Sequence, residues 1–350
     1  MTLYTTTTTQ RLTKRSVATF FSNLNSGLTS IPSPSSGAES QRKRPRSDNE
    51  PPAKISRSSD IWYEDGNIVL IAQDLAFKLH RSVLSRCSEV FRDMFEVTQP
   101  YLSDDVPMFG DSPIVYLSDT AKELSLFLKI VYSHGEDPYF RVSEVPAPME
   151  WVSTLLRLGR KYQVAFVADE AIRRLKLTCP TDHGVYLELE HREMITDYEG
   201  GGMSIFIVNL ARAFDIPELI PIALYRCCQL SNDMLAHGVK LENGTTDRLS
   251  SDDLARCLDG KEEILKCNFS FRQLLMHPFD NDFPVPNCKN CLQHIRLPGK
   301  ALISHDILEN TFTPFEGNFQ PCYKCMQNFH YEVEQLQSQI FIRFQEIFGM

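Results

Sequence analysis

Between Ser59 and Pro180 the apolar positions change rhythm twice. Ile61 to Tyr63 and Ile68 to Ala72 are short runs of β-branched and aromatic residues, which predict strands. Glu64-Asp65-Gly66-Asn67 lies between them and predicts a hairpin, because Gly tolerates positive φ. Phe77 to Leu79 is a third short strand after a Gln73-Asp74 turn. Val83, Leu84, Cys87, Val90, Phe91, Met94 and Phe95 then recur at steps of three and four, one apolar stripe of a helix. A loop with Pro100, Pro107, Gly110 and Pro113 leads to a strand at Ile114 to Leu117. Thr120 and Glu123 have capping-box spacing, and Leu124, Phe127, Leu128 and Val131 give another helical stripe, ended by Gly135. Past Pro138, Pro146 and Pro148, Trp151, Leu155, Leu158 and Tyr162 mark one helix, and Val167, Ala171, Ile172 and Leu175 a second, closed by Pro180. The order is a small sheet followed by helices, α+β, without the strict alternation of a doubly wound nucleotide-binding fold.

Three stretches carry a resemblance. They are Ser59-Asp60-Ile61-Trp62, Phe77-Lys78-Leu79-His80-Arg81-Ser82-Val83-Leu84, and Ser88-Glu89-Val90-Phe91-Arg92-Asp93-Met94-Phe95. In this order they resemble the opening of a BTB/POZ domain. Phe127-Leu128-Lys129-Ile130-Val131-Tyr132 and Leu156-Arg157-Leu158-Gly159-Arg160-Lys161-Tyr162-Gln163-Val164 are similar to that family's later helices. The whole chain resembles the uncharacterised fungal BTB proteins, in which helices and scattered cysteines follow the domain. The resemblance implies a BTB/POZ fold over 58–180 that binds other chains and commonly self-associates. It also implies two uses: adaptor for a cullin-type ubiquitin ligase, or scaffold in nuclear regulation. Asp60 and Arg81 match family positions that lie close together near the dimer groove of long-form domains. They are read either as the charged floor of a partner groove or as a half-buried ion pair that fixes strand on helix.

Two departures from the family bear on partners. Many cullin-binding members carry a hydrophobic–x–Glu motif in the loop before the Ile114-type strand, and residues 97–113 contain no Glu. The long-form dimer uses a segment before the first strand, which only Val17 to Leu24 supplies here. No kelch, MATH or ankyrin repeat appears as a substrate reader.

Residues 1–57 read as a disordered tail, with a Thr run, a Ser/Pro segment and few large apolar residues to offset chain entropy. Residues 181–280 read as a helical extension: Met203 to Phe214 is apolar, Pro217 suits a helix start, Leu219 to Leu230 continues, Ser231-Asn232-Asp233 caps another helix, and Ser251 to Cys257 begins one more. Gly200-Gly201-Gly202 precedes an apolar helix, but no strand leads into it and no Lys-Ser/Thr follows, so a phosphate loop is not expected.

Charge sharpens the division. Of the 36 Lys/Arg and 45 Asp/Glu, residues 1–57 hold nine and three, leaving 27 and 42 for the remainder. The tail is basic and Arg42-Lys43-Arg44-Pro45-Arg46 resembles a nuclear import signal, whereas the body is too acidic to suit a phosphate backbone. Nucleic acid is therefore not an expected partner, and localisation is expected to be the nucleus or cytoplasm. No membrane span is expected either: the best apolar stretch, Met203 to Ala211, is about half the length a span needs. No secretory signal is seen, so the ten cysteines are expected to be reduced thiols or metal ligands.

Four of them form two C-x-x-C pairs, Cys288-Lys289-Asn290-Cys291 and Cys322-Tyr323-Lys324-Cys325, separated by 30 residues. Each such turn places two thiolates on one side of a tetrahedron, and two turns complete a Zn²⁺ site. Phe329, Val333, Leu336, Ile340, Phe344 and Ile347 continue from the second pair as a helical stripe, and a helix start favours thiolates. Residues 281–350 are thus expected to hold a four-cysteine zinc module, with His294, His305 and His330 as spare ligands and unliganded thiols as the other reading. Such a zinc is structural, because four thiolates leave no open position for water. Cys87, Cys179, Cys227, Cys228, Cys257 and Cys267 read as small core hydrophobes, and His80 as a hydrogen-bonded core histidine. No His-Glu-x-x-His, no G-x-S-x-G and no nucleophile with an evident base is present. The expectation is an interaction protein without catalysis. A nuclear zinc-containing transcription or chromatin regulator comes second, and a thiol-redox enzyme using the cysteine pairs third.

Overall fold

The computed structural model describes residues 55–97, 108–133, 137–141, 145–187, 194–196, 202–241, 244–276, 307–308, 320 and 322–350. The tail expected over 1–57, with its basic cluster, lies outside the described residues up to position 54. The chain divides between Pro52 and Ala53, and all of the described residues belong to the second unit.

Strand β2 (Ile68–Ala72, IVLIA) is buried along its whole length. Its alternate side chains serve two different layers. Ile68, Leu70 and Ala72 enter the main core with Phe77 and Leu79, while Val69 and Ile71 face the opposite side of the sheet with Ala76 and Ile114. β2 pairs antiparallel with β3 (Leu75–Leu79) through a tight turn at Gln73-Asp74, Gln73 sitting at φ 55°. It pairs parallel with β5 (Ser112–Leu117), so that Val69 faces Ile114 and Ile71 faces Tyr116. β4 (Met108–Phe109) closes one edge and β1 (Ser56–Trp62) the other, giving the order β1-β3-β2-β5-β4.

The placement of β1 corrects the hairpin expected at Asp65-Gly66. β1 runs parallel to β3, with Ser56 opposite Leu75 and Trp62 opposite Lys78, and is not hairpinned to β2. Gly66 serves close approach instead of positive φ. A Cβ there would lie 2.9 Å from the backbone of Leu79, so the chain crosses under the end of β3 only because the side chain is missing.

The stripe from Val83 to Phe95 is also two helices and not one. α1 (Arg81–Cys87) and α2 (Glu89–Val97) are separated by Ser88 in an extended conformation. The Ser88 hydroxyl accepts from the Phe91 amide at 3.0 Å and donates to the Tyr162 carbonyl. It therefore caps the second helix while tying the bend to a residue far along the chain.

Helix α3 (Ala121–Ser133) begins at the expected capping box: the Glu123 amide donates to the Thr120 hydroxyl, which donates to the Glu123 carboxylate at 2.7 Å. After a short helix α4 (Pro138–Arg141) and a two-residue strand β6 (Ala147–Pro148), helices α5 (Met149–Lys161) and α6 (Ala165–Thr178) pack against each other and under the sheet. Tyr162 joins the layers. Its ring stacks on Phe91 at 4.5 Å, leans on Phe127 at 5.5 Å, and its hydroxyl donates to Asp119, which Lys161 also contacts at 2.7 Å.

Arg174, on α6, is fully buried. A buried charge is tolerated only when paired and fully hydrogen-bonded. Its Nε donates to Glu170 at 2.9 Å, Nη1 to the carbonyls of Val145 (2.7 Å) and Met194 (3.2 Å), and Nη2 to that of Tyr139 (2.6 Å). The guanidinium lies 5.3 Å from the centre of the Trp151 ring. Beside it, β6 pairs parallel with β7 (Ile195–Thr196), Ala147 opposite Ile195.

The rest is helical and shares the same core, which runs on to Phe348. After α7 (His183–Leu187), α8 (Met203–Ala213) leads through a 3₁₀ turn at Pro217–Leu219 to α9 (Ile220–Cys227). Ser231 caps α10 (Asn232–His237) as the sequence predicts, accepting from the Met234 amide at 3.2 Å. A small hairpin of β8 (Val239–Lys240) and β9 (Thr246–Asp247) precedes the long α11 (Ser251–Met276). The chain ends in α12 (Tyr323–Ile342) and α13 (Phe344–Ile347). Phe344 stacks on Tyr225 at 4.6 Å, and Phe348 lies against Gly260, where a Cβ would come within 2.2 Å of the ring. Among the described residues no helix is long and apolar enough to cross a membrane.

Replacing Arg174 with Met should cost about 3–5 kcal/mol in a denaturant titration, because Glu170 and the carbonyls lose their buried donor. Acid should act on two carboxylates. Burial opposes their ionisation, but hydrogen bonds from Arg173 and Arg174 hold Glu170, and from Arg212 hold Asp253, below the ordinary value. Groups depressed in the folded state stabilise it above the unfolded carboxylate pKa of about 4. Melting temperature should therefore fall as pH drops through about 4 and below, and Glu170→Gln should flatten that dependence.

Candidate protein-interaction surface

The side of the sheet turned away from the helices forms the candidate surface. Val69, Ile71, Ala76 and Ile114 make a small apolar cluster there, against which Ile55, Trp62 and Phe109 pack. Trp62 at the end of β1 and Phe109 in β4 come from opposite edges of the sheet order, and their rings meet edge-on at 5.6 Å. Arg57 lies over both, 4.7 Å from the Trp62 ring centre and 5.7 Å from that of Phe109. Two edge strands are thereby drawn together over the sheet by a cation–π sandwich. The Trp62 indole N–H is buried there and finds no hydrogen-bond partner among the described residues.

Next to this cover, apolar side chains reach solvent. Tyr116 continues the cross-strand row Ala76–Ile71–Tyr116 and is 63 % exposed, whereas Met108 in β4, opposite Pro113, is 52 % exposed on the other face of the same edge. Aromatic and Met side chains at a sheet edge suit recognition of another polypeptide: they offer large contact area, and an edge offers unpaired backbone groups. Sequence reading did not single out these residues. Only the register of β4 on β5, which sets Phe109 opposite Ser112 and Met108 opposite Pro113, reveals that Tyr116 and Phe109 share the outer face while Met108 points to the other one.

Asp60 and Arg81, the residues singled out by resemblance, take separate partners. Asp60 pairs with Lys129 of α3 and accepts from the Ser59 hydroxyl at 2.7 Å. The Lys129 ammonium holds its carboxyl below the usual carboxylate range. Arg81 donates to the Phe95 carbonyl at 2.8 Å and lies 5.4 Å from the Phe95 ring centre, while its amide donates to the Asn67 side chain at 2.9 Å. Asp60 thus ties β1 to α3, and Arg81 ties the start of α1 to the end of α2. The Asp60–Lys129 pair is about half exposed, so it orients more than it stabilises.

His80 caps another part of this side. Its amide donates to the Tyr132 hydroxyl at 2.8 Å, its ring packs 5.2 Å from Tyr63, and its Nε2 contacts the Asp65 carboxylate at 3.1 Å. Tyr63 stacks on Tyr132 at 4.9 Å, and burial pushes the Tyr132 phenol up to about 12. The cluster holds the strand ends by side-chain packing and carries no nucleophile.

The cysteine pairs divide. Cys322 and Cys325 open α12, with their sulfurs 3.1 Å apart, Cys322 exposed and Cys325 buried. Cys288, Cys291, His294 and His305 lie outside the described residues, and His330 is on the exposed side of α12. Among the described residues alone no cluster of three or more metal-binding side chains occurs. Of the other six cysteines, Cys179, Cys227, Cys228 and Cys257 are buried and Cys87 and Cys267 are half-buried.

No curated protein matches the chain. The family model of the BTB/POZ domain does, over residues 64–177, which span β2 through α6 and begin just after β1. The match takes in β2 through β5, the broken α1–α2 pair and the α5–α6 hairpin, so residues 64–177 of this chain are a BTB/POZ domain.

Proposed function

We propose that the chain acts by binding other polypeptides through its BTB/POZ domain, at the outer sheet face around Phe109 and Tyr116, and that it performs no catalysis. A BTB/POZ domain is a protein-interaction domain and not an enzymatic one. The observation that carries the assignment of the face is the exposed Tyr116 side chain beside an apolar cluster that, among the described residues, only Ile55, Trp62 and Phe109 cover. Within this role, adaptor for a cullin-type ubiquitin ligase is the finer reading, although residues 97–113 hold no Glu. A homodimer through the same domain is compatible with it, in the nucleus or the cytoplasm.

The test is co-purification with the full tagged chain and with Tyr116→Glu. Recovery of a cullin by the parent and its loss, tenfold or more, with the variant supports the adaptor role. Loss of other partners with no cullin supports a scaffold. An unchanged set of partners moves the docking site away from this face.

A second reading, a regulator with structural zinc, is favoured by the convergence of the Cys322 and Cys325 sulfurs at the start of a long helix. Cys288 and Cys291 are the other two thiolates of the required four. The acidic body argues against nucleic acid as that regulator's target. Elemental analysis of the purified chain should find zinc in equimolar amount, and Cys322→Ser/Cys325→Ser should lose it. A metal-free parent chain that melts at the same temperature with and without a chelator rules the site out.

A further inference from the structure

The end of α9 and the second turn of α11 bring two thiols together. The Cys228 and Cys257 sulfurs are 3.7 Å apart across 29 residues of chain, and Cys228 also donates to the Cys257 carbonyl at 3.4 Å. Both are fully buried. A disulfide needs about 2.05 Å, so the sulfurs must close by about 1.7 Å, within reach of side-chain rotation. Lys261, one turn beyond Cys257, supplies a cation to the same seam and is fixed there by the Leu230 carbonyl at 3.1 Å and the Asn232 side chain at 3.2 Å.

We propose that Cys228 and Cys257 are a modification site, forming a reversible disulfide when a small peroxide-class oxidant reaches the helical extension. The Cys257 sulfur attacks a peroxide oxygen. The O–O bond breaks, the thiol proton leaves with the departing oxygen as water, and a sulfenic acid remains. The Cys228 sulfur then attacks the sulfenic sulfur. The S–S bond forms, the S–O bond breaks, and the Cys228 proton leaves with the hydroxyl as a second water. The dithiol gives up two electrons and the peroxide becomes two waters.

The surroundings give the site selectivity. The hydrogen bond from Cys228 and the Lys261 charge lower the Cys257 thiol below its ordinary value, whereas Cys228, which gives the hydrogen bond, is raised. The neighbouring thiols are held protonated: burial pushes Cys179 up to about 11 and raises Cys227, which bonds to Ser204. Burial also excludes bulky reagents. Hydrogen peroxide, close to water in size, enters through local openings that exclude glutathione disulfide. Once formed, the bond locks α9 to α11, the helices on which Phe344 and Phe348 pack.

The experiment uses the full chain, treated under native conditions with hydrogen peroxide or with glutathione disulfide, then denatured, alkylated, digested and examined by mass spectrometry. Peroxide should yield a Cys228–Cys257 cross-linked peptide that dithiothreitol removes, glutathione disulfide should yield none, and the oxidised chain should melt a few degrees higher. Cys227→Ser should keep the cross-link and Cys257→Ser should abolish it. The parent chain decides the matter even where a variant fails to fold. Absence of that peptide after peroxide, or equal yields of pairs with Cys179, Cys227 or Cys267, overturns the proposal. The outcome does not depend on what the BTB/POZ surface binds.

Discussion

The guanidinium of Arg174 is the constraint on which the arrangement of helices rests. A charge with no exposure to water is destabilising by several kcal/mol unless every donor is used. Here the donors go to one carboxylate and to carbonyls of three separate segments, around Tyr139, Val145 and Met194. Those segments have little regular structure of their own, and short strands such as β6 and β7 hold few backbone bonds. Arg174 supplies what the ladders do not. It also crosses a boundary: Met194 lies beyond the last residue matched to the domain family, so the last helix of the domain is completed by the chain that follows it.

A second constraint acts on the sheet. With both faces of β2 buried, the domain has no solvated sheet face to spare, yet the two covers differ in kind. One is a thick layer of helices locked by Tyr162, and the other is a few side chains drawn in from the two edge strands. Removing polypeptide from the first would expose a core, whereas the second can be extended by another protein with little rearrangement. That difference is why the proposed recognition is placed on the thin side, where Tyr116 is exposed at the margin.

Much of this was legible in the sequence because it is local. Period-three-and-four stripes located α3, α5 and α6, and Ser231 and Thr120 announced helix starts through their own side chains. What failed was non-local. Asp65-Gly66 satisfies the chemistry of a hairpin turn, but β1 found a partner 19 residues on in β3, and Gly66 was needed for a contact that no local pattern encodes. Ser88 sits within an unbroken apolar stripe, and its break follows from the Tyr162 carbonyl, 74 residues away. Glu170 and Arg174 have the spacing of an ordinary surface pair on a helix, so nothing in their order marks them as the centre of the core. Asp60 was singled out and its partner Lys129 was not, since the ion pair depends on how α3 crosses β1.

The cysteines show where burial, not spacing, decides chemistry. Read along the chain, the six outside the C-x-x-C pairs look alike, and core packing explains each of them. In space they separate by what lies next to the sulfur. Cys179 and Cys227 have environments that keep the proton, while the Cys228 and Cys257 sulfurs lie 3.7 Å apart within hydrogen-bonding reach of each other. At Cys322 and Cys325 the sulfurs meet at a helix start with one of them open to solvent. The proposed oxidant chemistry of the buried pair and the proposed cation site at the half-open pair therefore differ through burial, although spacing along the chain treats these cysteines alike.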